Sequence, residues 1–511
     1  MLSYSSTILA LISLALSVVS LFLKRRYKHC RVRYPPGPKP MPFIGNLFDI
    51  PKSGKPWLLY ASWAKIYNSD ILHFSIFGKH VFVLNSAEII TELFEKRSHI
   101  YSDRPYAPVA DIMGWSFTTL LLPYGDKWRQ HRRQYQQYFR KEASVKYHAF
   151  QTKKIRDMLR QFLNSPDENE VYYKTIGAAI SMSSFYGYEL TPPFDNDHML
   201  VITEEAVQKG TRSLVPGAAI VNTFPALRHL PKWLPGIGFK EALEIRKLTQ
   251  EMRTAPMRFI KTQMASGHEN NSLLAEMLRN NDSSEESEAV EQNAIDIVVS
   301  LYAAGSETTV SAIATFILAM MYYPQVQKKA QEELDQVIGP DRLPVIDDRS
   351  SLPYIEAIYR ETARWIPVAN LASPHATSRD DIYNGYYIPK GSIVISNVWS
   401  VSHNPQVYPD PDVFKPERFF GSDGQLNSDE VNYAFGFGRR VCPGRHLASS
   451  TIWLTMASIL AAFNVQRPAN MSDTPFNYEE IFGNGTVSNP SFHSYIYPRS
   501  EHARRIVEEG I

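Results

Sequence analysis

One short loop around residue 440 limits the possible identities of this chain of 511 residues more than any other segment. The loop spans residues 435–445 and reads FGFGRRVCPGR. Gly438 and Gly444 allow its backbone to come close to a bulky group, and Arg440 can offer a guanidinium fork to a carboxylate. The apolar run after the loop predicts a helix, and the first amides of that helix favour a thiolate at Cys442.

A lone cysteine is more often a small buried apolar residue than a metal ligand. The chain has only two cysteines, Cys30 and Cys442, which are too few for a disulfide framework or a cysteine zinc site. Cys442 is the only cysteine in the body of the chain and is flanked by glycine and arginine residues, so we interpret it as a ligand.

The sequence has 54 basic and 52 acidic residues. It therefore lacks the excess of positive charge that is typical of nucleic-acid-binding proteins.

The N-terminal segment predicts a membrane anchor over residues 1–23. It carries no charged side chain, and at ~1.5 Å per residue it is long enough for one crossing. Basic residues follow directly, so the positive-inside bias places the N-terminus in the lumen and the remainder in the cytosol. A cleaved signal peptide is the alternative, but no basic region precedes the apolar run. Residues 24–46, first basic and then rich in proline, predict a stiff hinge.

The remaining residues, 47–511, are predicted to form one domain that is mainly α-helical with small β-sheets. Alternating apolar residues predict a hairpin over 70–84, and a second hairpin is predicted over 382–391. An uninterrupted, largely apolar helix is predicted over about 288–321. Such a helix is long enough to cross the whole domain.

A polar cluster interrupts this apolar helix at residues 303–309, which read AAGSETT. Gly305 in mid-helix costs ~1 kcal/mol relative to alanine, so the cluster needs an explanation. One explanation is a kink in which the hydroxyl groups bond back to backbone carbonyls. The other is a groove that accommodates a bound group beside the helix.

The pattern Phe435-x-x-Gly438-x-Arg440-x-Cys442-x-Gly444 resembles the haem-binding signature of the cytochrome P450 family. The likeness covers nearly the whole chain and is to fungal microsomal members similar to O-methylsterigmatocystin oxidoreductase. It implies the cytochrome P450 fold preceded by one N-terminal transmembrane helix, and haem b as the cofactor. Cys442 would be the axial thiolate ligand of the iron, which favours O–O bond cleavage. The other four residues of the pattern would contact the cofactor.

The resemblance implies roles for residues outside the loop. Glu307 and Thr308 are similar to the acid and the alcohol of the pair that delivers protons to bound oxygen. Trp128, Arg132 and His375 resemble residues that hold the haem propionates, together with the arginine of the loop.

Two further groups follow from the same resemblance. Glu361 and Arg364 lie at i, i+3 on one helix face, and with Arg418 they resemble a buried network behind the haem loop. The residues expected in an apolar substrate pocket are Phe117, Leu120, Ala304, Val368, Leu371 and Val487.

Together these features predict a membrane-anchored haem-thiolate monooxygenase of the endoplasmic reticulum, single-pass, with its catalytic domain facing the cytosol. It would insert one oxygen atom from O2 into an apolar, medium-sized secondary metabolite or xenobiotic. The sequence has no Gly-x-Gly-x-x-Gly fingerprint between a strand and a helix, so electrons from NADPH would arrive through an NADPH-cytochrome reductase or a small haem electron donor. A reductase-independent rearrangement or peroxide-using enzyme and a non-catalytic haem-binding sensor or carrier are the alternatives.

Overall fold

The computed structural model describes residues 33–50, 54–215, 217–234, 236–280, 287–468, 487, 490 and 492–510. The predicted membrane anchor and nearly all of the basic part of the hinge lie outside these residues. The described chain is mainly helical, with one four-stranded and two two-stranded sheets. The prediction of a mainly α fold with small β-sheets is therefore confirmed.

Helices account for most of the described chain. The α-helices are α1 (Pro56–Ile66), α2 (Ala87–Thr91), α3 (Ser98–Tyr101), α4 (Pro108–Ile112), α5 (Asp126–Phe139), α6 (Lys141–Ser144), α7 (His148–Asn164), α8 (Asn169–Ser181), α9 (His198–Leu214), α10 (Ile220–Thr223), α11 (Phe239–Ala265), α12 (Leu273–Arg279), α13 (Ser287–Tyr322), α14 (Pro324–Val337), α15 (Pro353–Trp365), α16 (Val398–Ser402), α17 (Arg445–Ala462) and α18 (Glu501–Glu509). The strands are β1 (Ile71–Ile76), β2 (Lys79–Leu84), β3 (His375–Ala376), β4 (Asp381–Tyr383), β5 (Tyr386–Ile388), β6 (Ile393–Ser396), β7 (Phe463–Gln466) and β8 (Tyr495–Pro498).

Several helices begin where the sequence supplies a start signal. Pro324 and Pro353 occupy the first positions of α14 and α15, where the missing N–H group costs no helical hydrogen bond. Asp197 caps α9 by accepting a hydrogen bond from the N–H of Leu200 at 2.9 Å. The cap fixes the start of α9, a helix that faces the candidate active site.

The four-stranded sheet joins two distant parts of the chain in the order β1-β2-β6-β3. β1 and β2 form the first predicted hairpin, with Ile71 opposite Leu84, and β4 and β5 form the second. β2 runs parallel to β6, with Val81 opposite Ile393, because the helical body supplies the long crossover that parallel pairing requires. β3 pairs with β6 at the sheet edge and holds His375 there.

Helix α13 is the central element of the core. It confirms the predicted long helix, and its residues belong to the two largest apolar clusters. Among the described residues it alone is long and apolar enough to cross a membrane, but 72% of its most apolar window is buried inside the protein. Gly177 of α8 packs directly on it, since a Cβ atom there would lie 2.6 Å from the carbonyl oxygen of Ser306. Glycine therefore lets α8 close one side of α13 beside the polar cluster.

Helix α17 forms the wall behind the cysteine loop. It begins at Arg445, as the apolar run after the loop predicts, and most of its side chains are buried. The side-chain amide of Gln151 in α7 donates to the carbonyl of Leu447 at 2.8 Å and to the hydroxyl of Thr451 at 2.7 Å. These bonds fix the first turns of α17 and therefore the end of the loop.

Candidate active site

Backbone contacts hold the cysteine loop in one position. The N–H of Cys442 donates to the carbonyl of Phe435 at 2.8 Å and closes the loop on itself. Gly438 adopts φ +56°, and a Cβ atom there would lie 2.0 Å from the carbonyl oxygen of Phe94. Only glycine tolerates both that conformation and that approach. The ring of Phe437 then packs against the ring of Phe94, with 6.3 Å between their centroids.

The free thiol of Cys442 lies in a desolvated but positively charged environment. Burial raises the pKa of this thiol, and the N–H of Gly444 and the charges of Arg132 and Arg445 oppose that effect. Burial is the largest of these contributions, so the helix and arginine effects alone do not keep the group ionised. Metal coordination deprotonates a thiol outright, and the same three groups are then placed to stabilise the thiolate.

Two predicted arginines enclose the ring of Trp128 beside the loop. The guanidinium of Arg440 lies 4.7 Å from the ring centroid, and that of Arg132 lies 5.9 Å from it. Arg440 also donates to the carbonyl of Ser102 at 2.8 Å. Arg132 donates to the carbonyl of Val441 at 2.7 Å. Trp128 and Arg132 come from α5, so this helix and the loop build one site together.

Arg104 completes this positive cluster, although no sequence pattern indicates it. Its guanidinium donates to the carbonyls of Leu120 at 3.0 Å and Ser373 at 2.8 Å. Burial, reinforced by the charge of Arg440, lowers the pKa of Arg104 to about 9, and burial lowers the pKa of Arg440 to about 10. Among the described residues, neither these two nor Arg132 forms an ion pair with a carboxylate. Because a desolvated cation without a counter-ion is costly, the cluster is suited to bind the carboxylates of a ligand.

His375 lies against the same cluster. Its Nδ1 is 2.6 Å from the carbonyl oxygen of Tyr101, and its ring stacks on Phe94 with 4.0 Å between centroids. Burial and the charges of Arg104 and Arg440 hold the pKa of His375 well below its usual value. The imidazole is therefore neutral, with its proton on Nδ1, because a carbonyl can only accept a hydrogen bond.

The polar cluster of α13 lies within an unbroken α-helix. The hydroxyl of Thr308 donates to the carbonyl of Ala304 at 2.7 Å, which is the back-bonding expected of a hydroxyl in mid-helix. Ala304 is exposed, and a Cβ atom on Gly305 would meet only the hydroxyl of Ser181, at 3.9 Å. Packing against protein therefore does not require a glycine here. The small side chains leave free space along this turn.

Glu307 is half-buried next to Thr308. Burial raises the pKa of its carboxyl group, and the charge of Arg212 in α9 opposes that rise. Consecutive residues of a helix point about 100° apart. Glu307 therefore reaches towards α9 while Thr308 faces a different side of α13. The pair combines a carboxyl that retains its proton above the usual pH range with an adjacent hydroxyl.

Glu361, Arg364 and Arg418 meet in a buried network. Arg364 donates two hydrogen bonds to Glu361, at 2.6 and 2.8 Å, and both side chains are 0% exposed. Nε of Arg418 donates to the same carboxylate at 3.1 Å, and the N–H of Lys415 donates at 2.7 Å. Arg364 also donates to the carbonyl of Pro411 at 2.8 Å. The network ties α15 to the segment that precedes the cysteine loop.

The residues expected in the substrate pocket have different surroundings. Phe117 is buried beneath Arg253, whose guanidinium lies 4.5 Å from the ring centroid. Leu120 and Ala304 are both exposed. The other three, Val368, Leu371 and Val487, are half-buried.

Comparison with known proteins identifies the family of this chain. Residues 35–490 match the family model for cytochrome P450. The cytochrome P450 monooxygenase COX2 of Coprinopsis cinerea is 37% identical over 93% of this chain and 91% of its own length. The cytochrome P450 monooxygenase claR of Ampulloclitocybe clavipes is 36% identical over 98% and 93%. The tryptamine 4-monooxygenase of Psilocybe cyanescens is 37% identical over 92% and 94%. The chain therefore belongs to the cytochrome P450 family.

Membership defines the reaction class and the cofactor. The protein is a monooxygenase, an oxidoreductase that uses haem b with a cysteine thiolate as the axial ligand of the iron. The residues described above fit this group. They provide a free thiol at Cys442 and a glycine-lined loop around it. They also provide a cluster of arginines that, among the described residues, form no direct ion pair with a carboxylate, and such a cluster matches the two propionates. Bound haem supplies the activation of O2.

Proposed function

We propose that this chain is a membrane-anchored monooxygenase that inserts one oxygen atom from O2 into an apolar, medium-sized organic molecule. Electrons come from NADPH through a separate reductase. One observation carries the proposal: a desolvated thiol, Cys442, lies beside a set of arginines that have no carboxylate partner among the described residues. The thiol alone, or the arginines alone, would have a simpler explanation. Their combination fits a metal-bearing ligand that also carries carboxylates.

We assign the residues around the loop to binding and orientation of the haem. Cys442 is the ligand of the iron, and the N–H of Gly444 and the charge of Arg132 support its thiolate form. Arg440 and Arg104 bind the propionates. The remaining contacts to the cofactor come from Trp128, His375, Phe435 and Gly438. The network of Glu361, Arg364 and Arg418 holds the loop in place from behind, and its residues contact no reacting atom.

We assign Glu307 and Thr308 to proton delivery. The hydroxyl of Thr308 satisfies the carbonyl of Ala304 in the helix, and it can also accept and pass on a proton at the open side of α13. The raised pKa of Glu307 means that this carboxyl retains a proton above its usual range. A general acid is most effective when its pKa lies near the working pH.

Several exposed aromatic side chains support membrane association. Phe43 and Phe48 are each 71% exposed, and Trp233 is 80% exposed. Phe43 lies near the end of the predicted hinge and Phe48 lies just after it, and the backbone between them is hydrogen-bonded to the β1–β2 hairpin. The ring of Phe77 in that turn lies 4.8 Å from the ring of Phe224, which is itself 40% exposed. Exposed aromatic side chains of this kind, in a chain whose N-terminal sequence predicts an anchor, fit a single-pass protein of the endoplasmic reticulum whose catalytic domain faces the cytosol.

The electron donor is proposed to dock on the outer face of α5. Arg133 is exposed there, and Arg129 is engaged with Asp126 at 2.7 Å. The inner face of the same helix carries Arg132 against the cysteine loop. An exposed positive charge this close to the cofactor site suits an acidic NADPH-cytochrome reductase or a small haem electron donor.

The substrate is proposed to be an apolar secondary metabolite or xenobiotic. The six candidate pocket residues are apolar, and a pocket of that kind favours an apolar ligand. The relatives support a small organic substrate, because one of them is named as a monooxygenase of tryptamine.

The test is the absorption spectrum of the reduced, CO-bound full-length protein. We expect a thiolate-type Soret band in the wild type and in the control Cys30→Ser, and its loss in Cys442→Ser. An imidazole-type band, or a band that survives in Cys442→Ser, would contradict the assignment of the ligand. NADPH consumption with a reductase added to the same preparation tests the reaction. A thiolate band without NADPH consumption would favour the peroxide-using enzyme, the rearrangement enzyme or the carrier instead.

A further inference from the structure

One tight turn of the chain supplies two carbonyl groups to Arg440. The turn spans residues 118–122, and we call it the arginine turn. The N–H of Leu122 closes it by donating to the carbonyl of Thr118 at 3.1 Å. The guanidinium of Arg440 donates to the carbonyl of Leu122 at 2.9 Å and to that of Thr119 at 3.4 Å. The position of Arg440 therefore depends on where this turn lies.

Arg104 uses the same turn. Its Nε donates to the carbonyl of Leu120 at 3.0 Å, and Leu120 lies between the two residues that bind Arg440. In the part of the chain that the structure describes, neither arginine forms an ion pair with a carboxylate. A carbonyl oxygen accepts a hydrogen bond but carries no net charge. The turn therefore orients two guanidinium groups and leaves their positive charge available to a ligand.

The side chain of Thr119 joins the arginine turn to α5. Its hydroxyl oxygen lies 2.7 Å from Nδ1 of His131 and 2.6 Å from the hydroxyl oxygen of Tyr135. His131 is 0% exposed and Tyr135 is 3% exposed. A hydroxyl can donate one hydrogen bond and accept others at the same time. A single side chain therefore satisfies two buried polar groups of one helix.

The backbone of Thr119 joins the same turn to α13. Its N–H donates to the hydroxyl of Ser300 at 3.2 Å. That hydroxyl in turn donates to the carbonyl of Asp296 at 2.6 Å, within the helix. Thr119 thus bonds to α5 through its side chain, to α13 through its N–H and to Arg440 through its carbonyl. Buried polar networks of this kind hold the surrounding chain in one arrangement.

We propose that Thr119 is a positioning residue for the haem, because it holds the arginine turn where Arg440 and Arg104 bind the propionates. The inference rests on the proposed assignment of these two arginines. Both also donate to carbonyls outside the turn, those of Ser102 and Ser373. Loss of the threonine hydroxyl therefore shifts the two guanidinium groups without freeing them.

Resonance Raman spectra of the ferric, full-length holoenzyme test the position of the arginines directly, through the bending modes of the haem propionates. Thr119→Val keeps the shape of the side chain and removes the hydroxyl, so these modes are expected to shift. Thr119→Ser keeps the hydroxyl and should restore the wild-type spectrum. The matched control is Thr118→Val, because the hydroxyl of Thr118 donates to the carbonyl of Trp115 at 2.9 Å. Propionate modes that stay in place in Thr119→Val would overturn the proposal.

Transfer of haem to excess apomyoglobin tests the same role by another measurement. Thr119→Val is expected to release haem roughly three- to ten-fold faster than the wild type, since buried polar groups lose their partner. Ser300→Ala removes the second anchor of the turn and should change the rate and the propionate modes in the same direction. Its control is Ser184→Ala, where the hydroxyl donates to the carbonyl of Ile180 at 2.6 Å. If Thr119→Val is recovered without haem, Ser300→Ala decides the question.

Urea unfolding separates positioning from simple packing. A lower unfolding midpoint in Thr119→Val, with unchanged haem transfer and unchanged propionate modes, would assign the residue to packing alone and overturn the inference. Arg440→Gln separates the inference from the proposed function. Unshifted propionate modes in Arg440→Gln would contradict the assignment of that arginine, and with it the inference. A shift in Arg440→Gln without one in Thr119→Val would contradict only the role of Thr119.

Discussion

The cysteine side and the α13 side of the active site differ in how their buried carboxyl groups are paired. Behind the cysteine loop, the carboxylate of Glu361 is 0% exposed and receives hydrogen bonds from Arg364 and Arg418. On the α13 side, Glu307 of α13 and Glu204 of α9 have no such partner among the described residues, and burial raises the pKa of each. The first arrangement keeps the carboxylate of Glu361 ionised and supports the loop that carries Cys442. The second leaves Glu307 without a fixed partner among those residues, as its proposed role in proton delivery requires.

The largest expected effect comes from breaking the network behind the loop. Arg364→Ala leaves the carboxylate of Glu361 buried without its main partner, and such a change costs about 3–5 kcal/mol. We expect most of the purified protein to lack haem, as the ratio of Soret to protein absorbance will show. The matched control is Arg342→Ala, which removes the exposed pair with Asp348 and should cost less than ~1 kcal/mol. Equal losses in the two variants would show that the network does not support the loop.

The glycine of the loop gives the next largest effect. Gly438→Ala combines a left-handed φ of +56° with a clash of 2.0 Å against the carbonyl of Phe94. Gly424→Ala serves as the control, since Gly424 has φ +75° and nothing within 4 Å. We expect Gly438→Ala to lower the free energy of unfolding by about 2 kcal/mol more than the control, with loss of haem. Urea unfolding of both variants separates the clash from the backbone strain that they share.

The two sides also differ in how much of them the sequence predicts. The loop around Cys442 is a local pattern, and helical spacing places Glu361 and Arg364 on one face. Arg418 is indicated only by family resemblance, because more than 50 residues separate it from its partner Glu361. The unbroken course of α13 through its polar cluster shows that the back-bonded hydroxyl of Thr308 does not require a break in the helix.

Other residues of the site carry no pattern that the sequence could reveal. Arg104 is one of many arginines, and its role depends on carbonyls that lie up to 270 residues away. Glu204 and Glu205 are neighbours on α9, but Glu204 is half-buried and its pKa is raised by burial, whereas Glu205 pairs with Lys209 on the helix surface. Only the packing of α9 on α13 distinguishes them. Contacts between distant segments of the chain therefore decide the α13 side, while local sequence largely decides the loop.

A smaller effect, on chemistry alone, is expected from Thr308→Ala. Removal of the hydroxyl should leave haem content unchanged and lower product formed per NADPH by about 10-fold or more, with peroxide released instead. Thr211→Ala is the matched control, because the hydroxyl of Thr211 makes the same kind of bond to the carbonyl of Val207, at 2.8 Å, in α9. Normal coupling in Thr308→Ala would contradict the role assigned to Thr308.

The smallest expected effect is on the pH dependence of stability. Burial raises the pKa of Glu307 above its ordinary value of 4.5. The native state therefore binds more protons than the unfolded state in this window, and the free energy of unfolding falls as pH rises from the ordinary value through the raised one. Glu307→Gln removes that loss. The free energy of unfolding of the variant should therefore rise relative to that of the wild type across this pH window, and the difference should stay constant at higher pH. Arg364→Ala should instead lose stability at all of these pH values. Thermal unfolding over a pH series distinguishes the two, and a pH-independent difference between Glu307→Gln and the wild type would show that Glu307 does not titrate differently in the folded protein.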